Sequence, residues 1–139
     1  MSTDEWPVIH RYTRAQATAD GVLVDVSEVA KEAGFVVPAA VTRAVFALIE
    51  PTAAETAVGQ DLHGRLWDVL SMAAHAIRRA RPAAIGQGSE QLVYSLSLQL
   101  RGRGSAGQEN GRHRLRLKIH SGPGDQGEHV ITIMLPEED

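Results

Sequence analysis

Four cations recur at every second position in one stretch of the chain: Arg112, Arg114, Arg116 and Lys118. Alternate residues of an extended strand share a face at steps of about 6.6 Å. The spacing therefore predicts a cationic stripe suited to phosphates, to carboxylates or to an acidic protein surface. Ser95, Ser97 and Gln99 alternate in the same way in an earlier stretch and would line the wet face of a neighbouring strand. No aromatic residue interleaves with the stripe, and platforms for single-stranded nucleic acid rely on such stackers. A protein partner is the expectation, with a phosphate-bearing one also open. A row of charged residues on a wet strand also guards a sheet against aggregation, so the pattern alone allows both a binding surface and a plain solvated face.

The six histidines, His10, His63, His75, His113, His120 and His129, form neither His-x-His nor His-Glu-x-x-His. His63 and His75 stand twelve positions apart, about 120° around a helix, and cannot chelate one ion together. The chain has no cysteine, which excludes disulfides, thiolate zinc sites, iron–sulfur clusters and a Cys nucleophile. There is no Gly-x-Ser-x-Gly elbow, and Gly86-Gln87-Gly88-Ser89 lacks the preceding strand and following Lys of a phosphate loop. Neither a metal nor a cofactor is expected, and the reading leans away from an enzyme.

One opening pattern supplies the alternative. His10-Arg11-Tyr12-Thr13, a short helix, and then Asp20-Gly21-Val22-Leu23 loosely resemble the first strand and helix of ADP-ribosyltransferase-like folds. That resemblance implies an early His or Arg on an NAD ribose, a Tyr stacked on nicotinamide and a late Glu orienting the nucleophile, with Tyr94 and Glu137 in the later roles. An enzyme of this kind would use His10 and Tyr12 with Asp20 or Asp25 on a nucleotide-like substrate.

Residues 1–7 read as a loose lead-in, and Val8–Tyr12 as a short strand. Thr13 should cap a brief helix over Arg14–Ala19, which Asp20-Gly21 ends. Val22–Val26 is β-branched enough for a buried strand. Ser27 can cap a second helix that stops at Gly34, and Pro38 suits the first turn of a third, with Val41, Ala44, Val45, Leu48 and Ile49 at helical spacing. Thr52–Glu55 fits a capping box. The longest helix should run from about Asp61 to Arg81, with Leu62, Leu66, Val69, Leu70, Ala73 and Ile77 as its apolar stripe and Pro82 as its stop.

Beyond residue 90 the period becomes twofold. Leu92, Tyr94, Leu96, Leu98 and Leu100 form one apolar row. His113, Leu115, Leu117 and Ile119 form a second, and Ile131, Ile133 and Leu135 a third, leaving Val130, Thr132 and Met134 on the wet side. Three such stretches predict an antiparallel sheet with one face on a core. The expected fold is α+β: a helical N-terminal half with one short early strand, packed on a C-terminal three-stranded antiparallel meander with 112–120 in the middle. Residues 102–111 should be a mobile hairpin loop and 136–139 an acidic tail.

The 139 residues suit one domain, and 43% apolar with 22% charged residues is an ordinary globular balance. No apolar run approaches the about 20 residues that span a bilayer, and the start is not a signal peptide, so a cytoplasmic protein without membrane contact is expected. The net charge of −3 conceals a division. Residues 1–60 carry −4, residues 61–120 carry +6, and residues 121–139 carry −5. The basic middle can face an anionic partner or the chain's own acidic ends.

Taken together, Tyr12–Ala17, Asp20–Val26 and Glu32-Ala33-Gly34-Phe35 resemble the front half of an uncharacterised family of small bacterial proteins met mainly on plasmids and other mobile elements. Gly64–Leu70 with Met72-Ala73 is similar to its central helix, and Gly122-Pro123-Gly124-Asp125 with Val130–Asp139 to its ending. Ser71 stands where related sequences tend to carry a bulky aromatic. The resemblance implies an accessory gene of mobile DNA and no particular reaction. The expected function is a non-catalytic binding or interaction protein using Arg112, Arg114, Arg116 and Lys118, with a homodimer also open.

Overall fold

The computed structural model describes residues 12–53, 56, 61–84, 90–99 and 112–138. Along the chain these give α1 (Arg14–Ala19), β1 (Leu23–Asp25), α2 (Ser27–Glu32), β2 (Ala39–Thr42), α3 (Arg43–Ile49), α4 (Leu62–Ala84), β3 (Glu90–Gln99), β4 (Arg112–Pro123) and β5 (His129–Met134). The lead-in 1–7, the stretch 8–11, the Gly-rich segment 85–89 and the hairpin loop 102–111 lie outside the described residues.

The strands form one five-stranded sheet in the order β1-β2-β5-β4-β3. β3, β4 and β5 pair antiparallel with β4 in the middle, as the alternation predicts. The meander does not stand alone, however. β2 runs parallel to β5, and β1 pairs antiparallel with β2, so the first half of the chain supplies two strands of a mixed sheet.

The extra strand corrects the expected third helix. Ala39–Thr42 is extended, and only Arg43–Ile49 is helical. All four β2 residues are buried, and the gain from pairing between β1 and β5 outweighs a helical spacing of apolar residues that is only a weak local preference. Thr42 marks the true helix start, its hydroxyl accepting from the Val45 N–H at 3.4 Å.

Local signals elsewhere act as their chemistry dictates. The Thr13 hydroxyl accepts from Gln16 N at 3.0 Å while Gln16 Oε1 accepts from Thr13 N at 2.8 Å, a reciprocal cap that fixes the start of α1. Gly21 then turns the chain into β1 with φ of 81°, a value a side chain would strain. Ser27 is not a cap but the first helical residue of α2. Its hydroxyl donates to Asp25 Oδ1 at 2.7 Å and accepts from Ala39 N at 3.1 Å, tying α2 to β2. Pro82 does not end α4, which continues to Ala84; in a last turn a proline removes a single ladder donor.

One face of the sheet carries the core. Val41, Tyr94, Leu96, Leu98, Leu117, Ile119, Ile131 and Ile133 are buried there with Val45 and Ile49 of α3 and Leu66, Val69, Leu70 and Ala73 of α4. Each large aliphatic side chain removed from water in this way contributes about 1.5–3 kcal/mol. The opposite face was expected to be wet throughout. On β5 it is not: Val130, Thr132 and Met134 are buried as well. An interior strand carries cover on both sides here, and that cover comes from α1 and from the last residues of the chain.

Candidate interaction surface

The second face of the sheet divides at β4. Arg114 lies opposite Ser97, Arg116 opposite Ser95, Lys118 opposite Val93 and His120 opposite Gln91. Arg114 and Arg116 are exposed, as are Ser97, Gln91 and Val93, while Ser95 and His120 are half-buried. The two guanidinium groups thus stand about 6.6 Å apart along the strand, beside a row of hydroxyls from β3. Neither is joined to a carboxylate among the described residues. The side chain of Arg112, one step further along, lies outside the described residues.

Lys118 shares the face and not the environment. It is only 8% exposed, and its Nζ donates to the backbone carbonyl of Glu138. Glu138 in turn accepts through Oε2 from the Thr42 hydroxyl at 2.7 Å and from Leu135 N at 2.8 Å. Residues 135–138 therefore fold back across β2, β5 and β4 as a hook, and Lys118 is part of its seat. Burying an ammonium is costly unless it is hydrogen-bonded; the carbonyl of Glu138 meets that need.

On the far side of the hook α1 is fastened down in the same manner. Arg14 Nη1 donates to Thr132 Oγ1 at 2.7 Å and Nη2 to Ile131 O at 2.9 Å. Both oxygens of Asp125 accept from the first turn of α1, Oδ1 from Arg14 N at 2.7 Å and Oδ2 from Ala15 N at 2.9 Å. A carboxylate across a helix start satisfies donors that the helix leaves unpaired and complements its dipole. Burial pulls the Arg14 pKa below the ordinary guanidinium value, against the opposing pull of Asp125, Asp25 and Glu128.

Of the alternative site, Tyr12 and Asp20 are joined, while Tyr94 and Glu137 lie elsewhere. His10 lies outside the described residues. Tyr12 is exposed and donates to Asp20 Oδ2 at 2.8 Å, a bond that raises the phenol pKa above its ordinary value. Asp25 is taken up by Ser27. Tyr94 points into the core, where its hydroxyl donates to Val69 O at 3.0 Å and burial pushes its pKa far up. It is fastened beneath α4, on the opposite side of the sheet from α1, and Glu137 is exposed in the hook. Tyr94 and Tyr12 therefore share no cleft.

The described histidines are dispersed. His63 Nε2 meets Glu32 Oε1 at 3.0 Å on the surface, His75 is exposed, and His129 bonds the Ser121 hydroxyl. Among the described residues no group of three or more His, Asp or Glu could hold a metal ion, and no helix is long and apolar enough to cross a membrane. Ser71 is accommodated by its own helix, donating to Asp68 O at 3.3 Å.

Sequence reasoning missed Arg14, Asp125 and Glu138, the residues that close the second face. The one local hint was the turn that holds Asp125: Gly124 and Gly127 bracket it, Gly127 with φ of 83°, and it presents the carboxylate to α1. The fold and this surface define a small α+β protein with a mixed sheet, one half of whose second face is braced and the other half cationic and open. The chain belongs to a family of unknown function, DUF6573, whose model matches residues 3–139. No curated protein and no solved structure matches it.

Proposed function

We propose that the chain is a non-catalytic interaction protein that receives an acidic protein surface on the open half of its sheet, between β3 and β4. The observation that carries this reading is the exposure of Arg114 and Arg116 on one face of β4, opposite Ser97 and Ser95 of β3. The strand fixes the spacing of the two residues, and Arg can grip a carboxylate with two parallel hydrogen bonds, a gain that must exceed the cost of ordering its side chain. Lys118 shares the face but is taken up by Glu138, and Arg112 belongs to the same alternating row of the sequence. An accessory role on plasmids and other mobile elements follows the resemblance of the opening, central and closing motifs, and a cytoplasmic setting goes with it.

The test uses a polyglutamate peptide as probe. Wild-type protein should bind it, more weakly as salt rises, and the double variant Arg114→Ser/Arg116→Ser should bind at least about tenfold more weakly with unchanged thermal stability. Binding of inorganic phosphate in place of the peptide would redirect the site to phosphate-bearing partners. Equal peptide binding by wild type and double variant would remove the arginines from the function.

A further inference from the structure

The sheet ends in two unlike edges. β1 is three residues long, and α1 packs against it. β3 is ten residues long and pairs only with β4, so among the described residues no strand meets the row of backbone N–H and C=O groups on its outer side. Natural sheets blunt such an edge with lysine, proline, inward charges or a bulge. β3 has none of these from Gln91 to Leu98: the run Gln91-Leu92-Val93-Tyr94-Ser95-Leu96-Ser97-Leu98 carries neither charge nor proline, and it pairs with β4 residue for residue without interruption.

From this edge we infer that the protein associates with a second copy of itself through antiparallel β3–β3 pairing, giving one continuous ten-stranded sheet. The strand is complementary to its own reverse. With a twofold axis at Ser95, that residue faces Ser95 of the second copy, Val93 faces Ser97, Tyr94 faces Leu96 and Leu92 faces Leu98. Any antiparallel pairing about a residue keeps inward residues opposite inward ones; what this strand adds is apolar pairs on the core face and no charge on either face from Gln91 to Leu98. The axis also brings no like charges together. Strands lie about 4.8 Å apart, so the two β4 arginine rows stand about 14 Å apart across the axis, beyond the screening length of about 8 Å at physiological salt. Val93, 44% exposed, gains a cross-strand neighbour. The dimer sets Arg114 and Arg116 of both copies on a single face, and it stands whether or not that face takes an acidic partner.

Charge complementation at the axis tests it. The wild-type chain should sediment at twice its 15.0 kDa mass at micromolar concentration. Ser95→Lys, which sets two ammonium groups opposite each other, should sediment at the single mass with an unchanged far-UV spectrum. Mixing it with Ser95→Glu should restore the double mass as a heterodimer. If Ser95→Lys fails to fold, Val93→Lys/Ser97→Lys mixed with Val93→Glu/Ser97→Glu carries the same test. A wild-type chain at the single mass overturns the inference, and so does a Ser95→Lys chain that still dimerises. Failure of the mixture to reassemble overturns the pairing register; capture of an extended segment from another protein by a monomer would mean that the edge serves a foreign strand.

Discussion

Arg116 and Lys118 stand two residues apart on the same strand and point from the same face, yet they live in different solvents. Arg116 projects into water beside Ser95. Lys118 lies under the C-terminal hook with its ammonium on the carbonyl of Glu138. The division runs through the whole face. Over β2 and β5, cations turn inward and are spent on fastening: Arg14 to Thr132 and Ile131, Lys118 to Glu138. Over β3 and β4, cations are left pointing outward. A row of identical charge in the sequence thus encodes two jobs, and what assigns them is the reach of residues 135–138 across the sheet.

Breaking the braced half should cost most. Lys118→Ala leaves the Glu138 carbonyl without its charged donor and loosens the hook; it should destabilise by about 2 kcal/mol in chemical denaturation, whereas Arg116→Ser should stay within about 0.5 kcal/mol of wild type. Equal losses would erase the distinction between the two halves. Asp125→Ala comes next. It strips the carboxylate from the start of α1 and should cost about 1–2 kcal/mol, with loss of helix signal in the far-UV spectrum and little change in β3–β4 amide protection.

Tyr94→Phe sharpens the comparison from the core side and has the smallest expected effect, about 1 kcal/mol for one buried hydrogen bond. Its pH dependence is the more telling readout. Tyr94 stays protonated in the fold well above the ordinary tyrosine value of 10.0 because it is buried, while in the unfolded chain it ionises near that value. The unfolded state therefore binds fewer protons above that pH. The stabilisation is complete below it and declines as pH rises further. Alkaline denaturation curves of Tyr94→Phe should lack that decline, and identical curves for variant and wild type would show that Tyr94 titrates in the folded protein.

How far the fold could be read follows from where each signal resides. The alternation of Leu92, Tyr94, Leu96 and Leu98 with Val93, Ser95 and Ser97 predicts β3 and its faces, because period two is a property of the strand itself. Thr13 as a cap and Asp20-Gly21 as a stop predict α1 to the residue, because these signals lie within or beside the helix itself. Ala39–Thr42 reads wrongly as helix because what makes it a strand is β5, about ninety positions later in the pairing of Ala39 with Ile131. The wet assignment of Val130, Thr132 and Met134 fails for the same reason: their cover is α1 and the hook, whose contacts no local window contains. At the surface, Arg114 and Arg116 stand where the spacing puts them, and Lys118 departs from its neighbours because residue 138 folds back onto it.

The clasp between Asp125 and α1 joins positions 111 and 110 apart, and the parallel seam of β2 with β5 spans nearly as much chain. On a ribosome, the first helix and the second strand emerge long before anything they can lean on has been made. Loop closure over such distances slows folding, so α1 and β2 gain these partners only once β5 and the turn at Asp125 have been made. A chain cut short of Met134 should therefore lack a complete β5, the strand that joins β2 to β4, and with it a completed sheet.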